Sequence, residues 1–197
     1  MGDPRRLKPN FRGPAHPWQK QRIEDEKTIL FEYGLKNKSE IWRMSSKVKN
    51  FTQQAKTLIA ATGTQAEREK QQLFARLQKL GMIKAGAKLD DILSLNLKNI
   101  LDRRLQTIVC RKGLARTMHQ ARQFITHQHI IVGKNIVSSP NYLVPTAEEP
   151  SISMVGASTL AKVYHPERVA LPPKKAKPKR DMDDRRRNDR RGGRGKR

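Results

Sequence analysis

Between Leu97 and Val144 the apolar residues change period, from helical spacing to short strand-like runs, and no other stretch constrains the fold as tightly. Leu97, Leu101, Leu105, Ile108 and Val109 recur at three- and four-residue intervals, which predicts one helix with a single buried face. Arg103 then projects from the opposite face, Arg104 and Arg111 lie on its flank, and Cys110 sits on the polar side. Gly113 marks the helix end, where a left-handed residue commonly stands. Thr117-Met118-His119-Gln120 has the form of a capping box. It predicts a second helix from about Met118 to Thr126, with Met118, Ala121, Phe124 and Ile125 inward and Arg122 near the edge. Ile130–Val132 and Ile136–Val137 then read as strands around Gly133-Lys134-Asn135, with Tyr142–Val144 as a third after the turn residues Ser138–Asn141.

The preceding residues read as helices only. Ile23 to Tyr33 predicts a helix with Glu24, Asp25 and Glu26 in its first turn, where the helix dipole favours acids. Gly34 stops it, and Ser39 caps a longer helix through about Ala61. On that helix Ile41, Val48, Phe51, Ala55, Leu58 and Ile59 share a face, and Arg43, Lys47, Lys49 and Lys56 occupy the others. The spacing leaves Trp42 and Met44 open. Thr64-Gln65-Ala66-Glu67 forms a second capping box, for a helix running to about Leu80 with Leu73, Leu77 and Leu80 as its seam. Leu89–Leu95 predicts a short helix whose acids, Asp90 and Asp91, cap or pair with nearby bases rather than bind metal.

These readings give an α+β chain in four parts: a basic Pro-rich arm (1–22), a helical domain (23–96), a two-helix and antiparallel-sheet module (97–171) and a basic Arg/Gly tail (172–197). The helical domain is thin in apolar residues for a free-standing bundle, so it is expected to pack against the module. Ser151–Val155 alternates and predicts a last strand. In the arm, Pro4, Pro9, Pro14 and Pro17 forbid a helix, and Phe11 and Trp18 are available either to stack on bases or to pack on the neighbouring helix. The tail carries thirteen Lys/Arg against four Asp and nothing larger than Met182 to bury, which predicts disorder in both termini off a partner.

Charge decides the class of partner. The net charge of +24 exceeds what solubility needs and predicts a polyanion, since each neutralised phosphate releases counterions. Eight Lys/Arg lie between Lys98 and Lys134 against one acid, Asp102. Candidate RNA contacts are Arg103, Arg104, Arg111, Lys112, Arg116, Arg122 and Lys134 in the module, with Thr117, His119 and Gln120 as hydrogen-bonding partners. Arg5, Arg6 and Arg12 in the arm and Lys47 and Lys49 on the long helix join them. Guanidinium groups suit bidentate phosphate contacts, and A-form RNA is recognised through shape, phosphates and 2′-hydroxyls.

Other chemistry finds no support in the residues. Five histidines and one cysteine give no metal-ligand spacing, and neither a Gly-rich phosphate loop nor a nucleophile elbow occurs. No cofactor, metal, small-molecule substrate or catalytic residue is expected. There is no run of eighteen apolar residues and no apolar leader, and Cys110 has no intramolecular partner, so a cytoplasmic setting without a membrane is expected.

The pattern Leu-Asp-x-x-Leu from Leu101, then Gly113, Ala121-Arg122, Ile130-x-Val132-Gly133 and Val137 resembles the S-four RNA-binding domain, and Ser139–Val144 extends the likeness. Met1–Arg6, His16-Pro17-Trp18, Tyr33–Lys38 and Glu40-Ile41-Trp42 resemble the archaeal form of the S-four family of small-subunit ribosomal proteins, over nearly the whole chain. The resemblance implies direct binding to a multi-helix junction of 16S rRNA, nucleation of the subunit body and a contribution to decoding accuracy. It also implies contact with ribosomal protein S five and a place near the messenger RNA entry path. The family usually has Gly where this chain has Gln128, so the turn into the first strand is expected to differ locally. Two alternatives remain on the residues alone: an RNA-modifying enzyme or synthetase fragment that docks through this module, and a non-specific nucleic-acid packaging protein.

Overall fold

The computed structural model describes residues 11–84, 86–162 and 165–166. Arg5, Arg6, the first half of the arm and the tail from 172 onward lie outside the described residues. Seven helices run in order, α1 (Lys20–Glu32), α2 (Lys38–Ala60), α3 (Thr64–Lys79), α4 (Leu89–Leu93), α5 (Leu97–Asp102), α6 (Leu105–Arg111) and α7 (Met118–Thr126). Strands β1 (Ile130–Val132), β2 (Asn135–Ile136) and β3 (Ile152–Met154) form an antiparallel sheet in the order β2-β1-β3. The α+β architecture follows the sequence reading.

Three apolar clusters hold the chain. Ala55, Leu58, Leu73, Leu77, Ile92 and Leu95 join the end of α2 to α3 and α4. Tyr33, Leu35, Ile41 and Met44 pack with Ile100 and Leu101 of α5. Leu105, Ile108 and Val109 of α6 pack with Ala121, Phe124 and Ile125 of α7 and with Ile130, Val132 and Ile152 of the sheet. Pairing of Ile131 with Ile136 and Ser153, and of Val132 with Asn135 and Ile152, turns alternate β1 side chains into that third cluster.

The single helix predicted from Leu97 is two. Arg103 and Arg104 leave the helical path, Arg104 being extended at φ −71°, ψ 142°. The break binds the segment predicted as a third strand. Leu105 N–H donates to Tyr142 C=O at 2.8 Å and Val144 N–H to Arg103 C=O at 3.0 Å, so Tyr142–Val144 pairs with the interhelix step instead of joining the sheet. Thr107 Oγ1 also donates to Leu101 C=O at 2.8 Å, satisfying a carbonyl that the end of α5 exposes. Apolar spacing runs through the break in register because α5 buries in one cluster and α6 in the next. Cys110, expected on the polar side, is half-buried against the third cluster, and burial pushes its thiol up.

Helix starts differ from the reading in three places. α1 begins at Lys20, so Glu24, Asp25 and Glu26 fall beyond its first turn. α2 begins at Lys38 after Asn37, ahead of Ser39. α3 begins at Thr64 itself, and no side chain caps it. Thr117 does cap α7, its Oγ1 accepting from Gln120 N–H at 3.1 Å, while the Gln120 side-chain Oε1 accepts from Arg116 N–H at 2.7 Å. Asp91 acts as expected, its Oδ2 accepting from Lys88 N–H at the start of α4.

Four helices end alike. After α1, α3, α6 and α7 a left-handed residue donates to the carbonyl three residues back, and the next residue donates five back. That residue is Gly34, Gly81, Gly113 and, for α7, Gln128 at φ +62°. Gln128 is the one positive-φ residue other than glycine among the described residues, so the turn keeps its form and carries side-chain strain. At Gly34 a Cβ would stand 2.7 Å from Met118 Cβ, closer than packing allows. We therefore expect Gln128→Gly to raise stability by about 1 kcal/mol and Gly34→Ala to lower it by more than about 2 kcal/mol in urea titrations.

Candidate nucleic-acid interface

The predicted cations divide into those with inward partners and those that face solvent. Glu40, in the first turn of α2, accepts from Arg104 Nη2 at 2.7 Å and from Arg122 Nη2 at 2.7 Å and Nη1 at 3.3 Å. Arg104 is only 1% exposed, and its Nε and Nη1 have no partner among the described residues. This corrects its expected place on a helix flank: leaving the helical path at the α5–α6 step carries it inward. Arg103 also turns in, donating to Glu149 Oε2 at 2.8 Å and Val144 C=O at 3.0 Å. Burial would raise the Glu40 pKa, but the hydrogen bonds and charge of Arg122 and Arg104 outweigh it and hold the carboxyl below its usual range.

Further ties surround this ion trio. The Gln106 amide, buried on α6, donates to Tyr33 C=O at 3.2 Å, Gly34 C=O at 3.1 Å and Met118 C=O at 2.8 Å. It thereby clamps the end of α1 to the start of α7. Arg111 pairs with Asp102, which also accepts from Tyr33 Oη at 3.0 Å. Burial first, and Asp102 second, push the Tyr33 hydroxyl up to about 12. Lys112 donates to Glu149 C=O, and Arg116 donates to Pro166 C=O at 3.2 Å. Glu26, buried on α1, gathers Arg22, Lys38 and the Trp42 indole N–H.

Outward-facing cations gather along α2. The arm docks there: Arg12 N–H donates to Ser46 Oγ at 3.1 Å, and the Phe11 ring lies 6.3 Å from Trp42 with Arg43 over its face at 5.5 Å. Lys47 stands nearly two turns after Glu40, on the same strip of α2, and Lys49 is exposed one turn from Ser46. Arg12, Arg43 and Lys47 therefore extend from the place where Glu40 meets α7. Lys134 sits exposed in the two-residue turn between β1 and β2, and His119 is exposed on the first turn of α7. Trp18 is 91% exposed, in contrast to Phe11.

Glu40 and Arg43 were absent from the sequence-based candidates. One signal pointed to Glu40: it is the sole acid in the 23-residue α2, placed in the first turn. Arg43 could have been found by its four-residue spacing from Lys47. The grouping itself depends on which helices meet.

Known proteins resemble this chain over the same region and beyond it. The family model described as the S4 domain matches residues 103–149, from the α5–α6 step to the segment leading into β3. The small ribosomal subunit protein uS4 of Methanococcus aeolicus is 51% identical over 170 residues, covering 86% of this chain and 96% of that relative. The protein of the same name from Methanococcus maripaludis strain C5 is 49% identical over 171 residues, with the same coverage.

Removing the carboxylate charge at position 40 leaves the buried guanidinium of Arg104 and the part-buried one of Arg122 without their counter-charge. Glu40→Gln should cost about 3 kcal/mol of unfolding free energy, read by urea titration. Because the native Glu40 pKa lies below the unfolded value near 4.3, this contribution is complete above that pH. It disappears as pH falls through the lowered native value, so the stability difference between wild type and Glu40→Gln should narrow in acid.

Proposed function

This chain belongs to the uS4 family of small ribosomal subunit proteins, and on that premise we propose that it recognises a multi-helix junction of 16S rRNA and helps nucleate the subunit body. It is a structural, rRNA-binding constituent of the subunit. The observation that carries the finer reading is the division of its cations: Glu40, Arg104 and Arg122 lock helical part to module, while Arg12, Arg43, Lys47, Lys49 and Lys134 are left facing solvent. A rigid body studded with outward cations suits A-form RNA, whose base edges are hidden and whose phosphates mark its shape. Arg111, Lys112, Arg116, Thr117, His119 and Gln120 border that body at the α6 end and the α7 start and complete the proposed contact surface. Arg5, Arg6 and the basic tail add phosphate contacts without base readout.

The reading extends to contact with ribosomal protein S five, a position near the messenger entry path, an influence on decoding accuracy and residence on cytoplasmic ribosomes. An enzyme or synthetase role has no counterpart in the relatives, which carry the name of a ribosomal subunit protein. Packaging of nucleic acid by charge alone makes a different prediction from junction recognition, and salt separates them.

The full-length protein should bind a junction-containing fragment of 16S rRNA more tightly than an unrelated structured RNA of equal length, with the preference persisting at high salt. Equal affinities that fall together with salt would overturn the junction reading. Arg43→Glu with Lys47→Glu should weaken binding at least tenfold and lower the salt slope by about two. Both positions are exposed, so thermal unfolding should be nearly unchanged.

A further inference from the structure

The end of α7 carries a feature that phosphate binding does not use. His127, His129 and His165 line one cavity of about 350 Å³, together with Phe124 and Leu160. Gln123 and Thr159 add an amide and a hydroxyl to its lining. Among the described residues that line it there is no Lys, Arg, Asp or Glu. The cavity lies beside the carbonyl end of α7, where the helix dipole disfavours an anion. Its chemistry is therefore that of a flat, neutral heteroaromatic group.

The ring geometry fits such a guest. Phe124 and His129 meet edge to face, ring centres 6.2 Å apart and planes at 88°, and Ser158 Oγ lies 3.0 Å from His129 Nδ1. These two contacts hold His129 as a fixed wall. His127 faces it with planes 29° apart and ring centres 6.4 Å apart. A base stacked between two rings sets their planes about 6.8 Å apart, twice the ~3.4 Å stacking rise, and the exposed His127 ring is the wall that moves outward to admit it. The left-handed turn at Gln128 is what brings rings two residues apart into this arrangement.

We propose that this histidine-walled cavity receives one unstacked nucleobase of the bound RNA, stacked between His127 and His129. Its polar edge would meet the Gln123 amide and the Thr159 hydroxyl. The proposal rests on the chain being an RNA-binding protein and adds a base contact to a surface otherwise made of phosphate contacts. Single-stranded bulges and junction bases are the RNA features that can be splayed out in this way.

The test uses the full-length protein, His127→Ala and His127→Phe. Titration with adenosine should shift the imidazole NMR signals of His127 and His129, whereas ribose 5-phosphate should leave them in place. For the junction RNA, His127→Ala should lose between about fivefold and a hundredfold in affinity with an unchanged salt slope, and His127→Phe, which keeps a flat face, should retain most of it. Shifts caused by ribose 5-phosphate, equal losses in both variants, or no loss in either would overturn the proposal. A wild type without junction preference would defeat the junction reading, and the adenosine arm would still decide the cavity.

Discussion

A carboxylate held between two guanidiniums, with one of them almost wholly removed from water, is costly to assemble and fixed in direction once assembled. Glu40 occupies that position. It lies in the first turn of α2, where the helix dipole favours a negative group, and takes Arg104 from the start of α6 and both outer nitrogens of Arg122 from α7. The two-pronged Arg122 contact sets orientation as well as distance. Three helices are thus registered at one point, and the Gln106 clamp on α6 adds the end of α1 through the carbonyls of Tyr33 and Gly34, together with the Met118 carbonyl of α7. The close approach of Gly34 to Met118, too near for an added Cβ, accompanies that registration.

The same registration explains how a chain of net charge +24 builds a core at all. Four of its acids stand beside bases: Glu40 with Arg104 and Arg122, Glu149 with Arg103 and Glu26 with Arg22 and Lys38 hold theirs inward, and Asp102 pairs with Arg111 at the surface. Each pair withdraws a cation from the repulsion that would oppose folding. The cations without such partners remain outside, where a polyanion can reach them. Folding and RNA recognition therefore draw on one set of residue types, and the placement of the acids decides which base serves which purpose.

Backbone closure contributes in a separate way. Four helices end in the same left-handed turn, and in three of them glycine supplies it without strain. At α7 glutamine supplies it, and the flanking histidines lie with ring centres 6.4 Å apart and planes tilted by 29°. A conformational cost at one residue there accompanies an aromatic cavity, in keeping with the way strained positions gather at surfaces that bind.

From the sequence alone came the class of partner, the helix-then-sheet order, the glycine stops and the family likeness, because charge, periodicity and turn chemistry are local properties of neighbouring residues. Trp42 and Met44 stayed open at that level, and the structure buries Met44 completely while turning the Trp42 indole toward Glu26. The break at Arg103–Arg104 was hidden, since apolar spacing continued across it and only the arrival of Tyr142–Val144 gives the broken backbone its partners. Arg104 and Lys47 look alike as letters, yet one is sealed beneath Glu40 and the other lies open on α2. A cation's role depends on whether a carboxylate some sixty residues away folds against it, and that is settled only when the helices pack.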